Sequence, residues 1–210
     1  MSVETYLKDY FVDKATFATL SGITVERLDQ LISVGAIPRA TYVCNGTCIA
    51  SAVFGATAID EPLEGEFFRP ECVRWVKIAD KAASGTEQAA VLAALVGELT
   101  ASLRDHGYTE DVIEAKALNY LPSFFNGTFG LCVANPSSGA GIIRKEILQQ
   151  TLTEITADGR IPSPNGYAKE DLLALIDDYA RSAMPFSPAE YGRSSRKRLV
   201  DDLRPLVTKA

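Results

Sequence analysis

One histidine, one tryptophan and two methionines are all that this 210-residue chain holds of those types, and the scarcities close off several chemistries. With His106 as the lone imidazole and no Gly-x-Ser-x-Gly elbow, a Ser-His-Asp hydrolase finds little support. No apolar run approaches the roughly 20 residues that span a bilayer. No N-terminal stretch joins a charged start to an apolar core, so the sequence predicts a cytoplasmic protein without membrane attachment. Basic charge is also short: the formal net charge is -6, which argues against a general polyanion binder, because nonspecific nucleic-acid affinity comes from Lys and Arg neutralising phosphates. Cysteine is sparse too, with Cys44, Cys48, Cys72 and Cys132 scattered along the chain. Scattered thiols in a cytoplasmic chain read as reduced rather than as a disulfide framework.

The composition that remains, 47% hydrophobic and 23% charged, is that of a globular protein with a packed core. Cys44-x-x-x-Cys48 with Cys72 and His106 has a permissive spacing for zinc, but a ribbon or finger needs a second close Cys or His pair. No metal site, cofactor or catalytic residue is predicted. His106, in Arg104-Asp105-His106-Gly107, reads as a capping residue at a helix C-terminus.

The most organised stretch is Asp13 to Pro38. Asp13 is positioned to cap a helix with Phe17 and Leu20 on one face, and Ser21-Gly22 breaks it. Thr24 then caps a second helix in which Leu28, Leu31 and Ile32 recur at i, i+3 and i+4, before Gly35 and Pro38 stop it. The run Thr16 to Leu28, with its Leu20-Ser-Gly-Ile-Thr24 core and the Gly35-Ala-Ile-Pro38 exit, resembles MerR-type and excisionase-type winged helix-turn-helix domains. The resemblance implies that Arg39 to Phe68 forms an enlarged wing and that Phe68 to Trp75 opens the helix behind it. It also implies a second helix that faces DNA or a protein partner through Thr24, Glu26, Arg27, Gln30 and Arg39. Acidic Glu26 and Asp29 on that helix repel phosphates and favour the protein version. Such regulators dimerise through a long following helix, and Glu87 to His106 would supply it.

Elsewhere, Val3–Tyr10 reads as a leading helix. Asn45-Gly46, between Tyr42-Val43 and Ile49, reads as a hairpin turn whose acidic end is Asp60 to Glu66. A helix is expected from Pro70 to about Ala83, with Ser84-Gly85 as the boundary between a domain at 1–83 and a domain at 84–210. Helices follow at Glu87–His106, capped by Thr86, at Glu110–Leu121, stopped by Pro122, at Ile142–Thr156 and at Ala168–Ala183. Ser123 to Asn135, with aromatic residues around Asn126-Gly127, reads as a second hairpin. A terminal helix runs from Ser194 or Ser195 to Pro205. The fold class so predicted is mainly α: a MerR-like winged helix-turn-helix, then a helical domain carrying a small β-hairpin.

The segments Tyr120-Leu-Pro, Gly127-Thr-Phe-Gly-Leu-Cys132, Arg144-Lys-Glu146, Pro185-Phe-Ser-Pro188 and Ser194-Ser-Arg-Lys-Arg198 resemble an uncharacterised bacterial family associated with natural-product biosynthesis. No activity is implied by it. Arg193, Ser194, Ser195, Arg196 and Arg198 form the densest basic cluster and a candidate anion site. Two functions follow as expectations. One is a recognition protein, regulator or interaction module, acting through the helix-turn-helix. The alternative is a biosynthetic enzyme or accessory factor that binds an anionic small molecule in an apolar pocket near Phe124, Phe125, Phe129 and Cys132.

Overall fold

The protein is described by a computed structural model covering residues 1–209. Helix α1 (Val3–Tyr10) leads into a two-residue strand β1 (Val12–Asp13), then α2 (Lys14–Ser21) and α3 (Val25–Ser33). The caps are those the side chains dictate. Asp13 accepts from the Thr16 amide and Thr24 from the Arg27 amide, each satisfying a first-turn donor that has no partner inside the helix. Strands β2 (Tyr42–Ser51) and β3 (Gly55–Phe68) form a long antiparallel hairpin, and β1 joins its other side, giving the order β1-β3-β2. A 3₁₀ turn at Pro70–Cys72 and α4 (Val73–Lys81) close this half.

Helices α5 (Glu87–Asp105), α6 (Glu110–Phe125), α7 (Thr128–Cys132), α8 (Gly139–Ile155) and α9 (Lys169–Ser182) follow. A wider π-helical stretch, Lys197–Asp202, then runs into α10 (Leu203–Lys209). Val91, Leu95, Leu99 and Leu103, spaced by fours, are fully buried, so the apolar stripe of α5 is filled within the chain. Gly139 lets α8 cross α5 at backbone contact, since a Cβ there would come within 2.8 Å of the Leu99 nitrogen. One core runs without a break from Tyr6 and Phe17 through Leu31, Tyr42 and Trp75 to Leu95, Phe124, Ile142 and Phe186. A smaller core gathers Leu152, Leu172, Ile176, Leu199 and Leu203 under α9 and α10.

The expectation of a mainly α chain, with a winged helix-turn-helix and a small hairpin in the helical second half, is corrected. Helices predominate, but a three-stranded antiparallel sheet makes the architecture mixed α/β. Ser123 to Asn135 forms no hairpin: α6 continues to Phe125, and Asn126 turns the chain into α7 by accepting from the Thr128 amide. Pro122 does not stop α6, because it lies on an exposed face beside Leu118, 57% exposed. The i−4 carbonyl that its ring leaves without a partner can turn to water there. Likewise α10 passes through Pro205. Asn45-Gly46 lies inside β2 at a bulge rather than at the turn, which falls at residues 52–54, and Asp60 to Glu66 are part of β3. Thr86 donates to the Ala83 carbonyl instead of capping α5. Among the described residues no helix is long and apolar enough to cross a membrane.

Candidate functional site

The exposed side of α3 carries Glu26, Asp29, Gln30 and Ser33, with Thr24 also exposed at the cap. Arg27 does not join them. Its guanidinium turns back onto the body, 3.0 Å from Glu87 and 3.4 Å from Asp80, and donates to the Gln30 side-chain oxygen at 2.8 Å. Asp29 is held by Lys14 at 2.9 Å. Backbone hydrogen bonding at the helix start, with help from Thr24, holds the Glu26 carboxyl below the usual range. Arg39, exposed, stands across a groove of about 500 Å³ that Ile32, Ser33, Val43 and Asn126 help to line. The hairpin from Tyr42 to Phe68 contains no Lys or Arg and four carboxylates, Asp60, Glu61, Glu64 and Glu66. A phosphate backbone laid against this face would meet mainly negative charge, with Arg39 the one cation on it, among the described residues, that makes no ion pair.

The C-terminal basic cluster is taken apart by the fold. Ser194 is buried and caps the last helix, accepting from the Lys197 amide at 3.1 Å and donating to the Tyr191 carbonyl at 2.8 Å. Arg196 closes the C-terminus of α9, donating to the carbonyls of Ala180 at 2.6 Å and Ala183 at 2.9 Å, and burial lowers its pKa from the ordinary arginine value. Arg198 pairs with Asp158 at 2.9 Å. Ser195 meets the Tyr179 hydroxyl at 2.8 Å. Arg193 lies 4.9 Å over the Phe54 ring and donates to the Thr57 hydroxyl at 2.6 Å. Only Arg193, Ser195 and Arg198 of the cluster face a common space.

That space is a pocket of about 440 Å³ between the hairpin turn and the helical half. Val53 and Phe54 form one wall, and Asn119, Tyr120 and Ser123 of α6 another. Phe129, Leu131 and Cys132 of α7, Lys145, Glu146 and Gln149 of α8, and Phe186 complete it. Its geometry depends on α7 lying flat against the N-terminal half. A Cβ on Gly130 would come within 2.2 Å of the Thr41 hydroxyl, so only glycine allows that approach. Arg69, 3% exposed, then reaches from the end of β3 to the carbonyls of Gly130 at 3.2 Å, Val133 at 3.3 Å and Ala134 at 3.0 Å. It thereby satisfies acceptors that the end of α7 leaves open.

Lys145 is the unusual member. It is 3% exposed, and its ammonium donates to Glu146 at 2.8 Å. Burial works against the charge, but the acidic groups around it, Cys132 and Tyr179 in their ionised forms and Glu146, raise the pKa above the ordinary lysine value, and Glu146 is the one that bonds to the ammonium. Burial raises the Cys132 pKa more than Lys145 lowers it, so the group stays a neutral thiol. Burial likewise pushes Tyr120 up to about 12. A thiol and an ammonium are the less nucleophilic forms of these two groups. Sequence reading missed Lys145, Glu146, Phe186 and the Val53-Phe54 turn. The signal was present in α8: Ile142, Lys145 and Leu152 share one helical face by spacing, and a lysine on an apolar face marks a paired, buried cation.

His106 is exposed, and its Nδ1 lies 2.8 Å from the Ser102 carbonyl at the end of α5, as a cap. All four cysteines are free, and among the described residues no group of three His, Cys, Asp or Glu side chains is placed to hold a metal ion. Residues 81–207 match the model of a family of unknown function, DUF6058. No curated protein and no solved structure matches the chain.

Proposed function

The chain belongs to the DUF6058 family, and for this member we propose a recognition function: reversible binding of a small organic molecule in the pocket between the hairpin turn and α6 to α8. The supporting observation is the cavity itself. At about 440 Å³ it falls in the usual range for ligand sites, with apolar walls and a few converging polar groups. It joins Phe54, Phe129 and Phe186 to a buried ammonium. Desolvating such a group is costly even when it is paired, so its burial is weak evidence of a purely stabilising role. Turnover has less behind it, since Cys132 and Lys145 are both held in their less nucleophilic forms.

The test is a fragment titration of the isotope-labelled protein. Binding in the pocket shifts the resonances of Phe129, Lys145 and Phe186 together, and Ser123→Trp, which fills the cavity from α6, abolishes the shifts while leaving Tm within a few degrees. Shifts confined to other surfaces would reject the reading.

A second recognition mode is favoured by the open side of α3. Glu26, Gln30 and Ser33 face solvent beside an acidic hairpin, a surface suited to a basic protein partner rather than to DNA. Retention of operon DNA that weakens with salt and is lost on Arg39→Ala would reverse that preference.

A further inference from the structure

We infer that the ligand of this pocket is an organic anion whose head group is met by Arg193 and whose apolar body lies against Phe54, Phe129 and Phe186. The inference rests on the pocket reading above and adds the chemical class. On a chain of net charge -6, the pocket is lined by three cations, Lys145, Arg193 and Arg198, and one carboxylate, Glu146. The three cations are not equivalent. Glu146 answers Lys145 at 2.8 Å and Asp158 answers Arg198 at 2.9 Å. Arg193 bonds only to neutral acceptors, the Thr57 hydroxyl at 2.6 Å and the Phe54 carbonyl at 3.5 Å, and among the described residues no carboxylate stands within ion-pair distance of it. Glu190, three residues earlier, is turned away into the core, where Tyr42 and Ser51 donate to it at 2.7 and 2.6 Å. Glu190 attracts Arg193 at longer range but makes no ion pair with it, so the remaining N–H donors of Arg193 are left for a ligand.

Arg193 is also oriented for the task. The Phe54 ring, 4.9 Å away, and the bonds to the Thr57 hydroxyl and the Phe54 carbonyl hold the guanidinium in place, and its other N–H groups remain for a carboxylate or phosphate with little further loss of rotamer freedom. Phe54 in turn packs edge-on against Phe186, ring centroids 6.0 Å apart, so the surface for the apolar body begins where the head group ends. Deeper in, Lys145 donates to Glu146 and faces the Cys132 sulfur, which leaves one N–H for a polar substituent at the far end of the ligand.

The experiment compares decanoate and decyl phosphate with 1-decanol and decyltrimethylammonium, by calorimetry and by resonance shifts at Phe129 and Lys145. Both anions should bind at least about tenfold more tightly than decanol at low salt, as a charge-assisted bond allows. The tighter of the two names the head group. Arg193→Gln should remove that advantage while leaving decanol affinity unchanged, and Arg193→Lys should keep most of it. Equal affinity for decanol and decanoate, or tighter binding of the cation, would overturn the anion class while the pocket reading stands. An equal loss for every probe in Arg193→Gln would overturn Arg193 as the head-group residue. If no probe shifts Phe129 or Lys145, the pocket reading falls and this inference with it.

Discussion

Arg27 and Arg193 sit at the starts of two recognisable sequence features, a helix-turn-helix-like pair and a basic cluster, yet the fold treats them in opposite ways. Arg27 is drawn inward onto Glu87 and Asp80 and becomes a tie between α3 and the α4–α5 corner. Arg193 is held in place by a ring and a hydroxyl and makes no ion pair, the Glu190 carboxylate acting on it only at longer range. A cation in a sequence motif is therefore not yet a binding residue. What decides is whether a carboxylate from elsewhere in the chain arrives first, because an ion pair already made must be broken before a ligand can use it.

Four experiments would break or sharpen this contrast. The largest effect is expected at the seam that shapes the pocket. Gly130→Val drives a branched side chain into Thr41 and should cost on the order of 3 kcal/mol, the upper end for overpacking, read as a fall in Tm. A comparable substitution at exposed Ser33 should be nearly silent. If Gly130→Val is equally silent, α7 does not depend on that close approach.

Next is Lys145→Met, which leaves Glu146 at the pocket floor without its cation. Glu146 keeps 22% side-chain exposure, so the loss should be about 2 kcal/mol, below the full cost of orphaning a buried charge. Adding Glu146→Gln should recover much of it. A double variant as unstable as the single one would show that the pair is not coupled.

Arg27→Ala should lower Tm by less than Lys145→Met, since Arg27 and Asp80 reach solvent although Glu87 is buried, and should leave pocket binding untouched. A change in ligand affinity with this variant would mean that the two regions communicate. Glu87→Gln should reproduce its stability effect if the ion pair is the cause.

The smallest effect is a pH tilt. Burial raises the Glu190 pKa above the ordinary carboxylate value, more than the Ser51 and Tyr42 hydroxyls and Arg193 lower it. For an acid whose folded pKa is raised, the folded state binds the proton more readily, so its stabilising share is full below the ordinary glutamate range and is lost as pH rises through the folded value. Glu190→Gln removes that dependence. The Tm difference between the variant and the parent should therefore move in the variant's favour from acidic to neutral pH, and a difference constant with pH would contradict the assignment.

Much of the fold was legible because it is local. Val3–Tyr10, the caps Asp13 and Thr24, and the four-residue spacing of Val91, Leu95, Leu99 and Leu103 each follow from propensity, capping and periodicity within one segment. The candidate site was only partly legible. Of the residues expected at an apolar pocket and an anion site, Phe129, Cys132, Arg193, Ser195 and Arg198 line the same cavity. Phe124 and Phe125 do not, Phe124 packing on Trp75 and Phe125, and Ser194 and Arg196 are spent on helix ends. Glu26, Gln30 and Arg39 are exposed as expected, but Arg27 is tied to Glu87.

By itself the sequence determined where most helices start and how their faces divide into apolar and polar, since those forces act between residues a few positions apart. Tertiary structure decided the rest. The Asn-Gly pairs at 45–46 and 126–127 have the same turn chemistry, yet one is carried inside a strand and the other links two helices, because each obeys the surface its neighbours must bury. The partners of Lys145, Arg193 and Arg27 were likewise settled in three dimensions. Which charge is answered and which is left free depends on distances across the fold, and these the order of residues along the chain does not state.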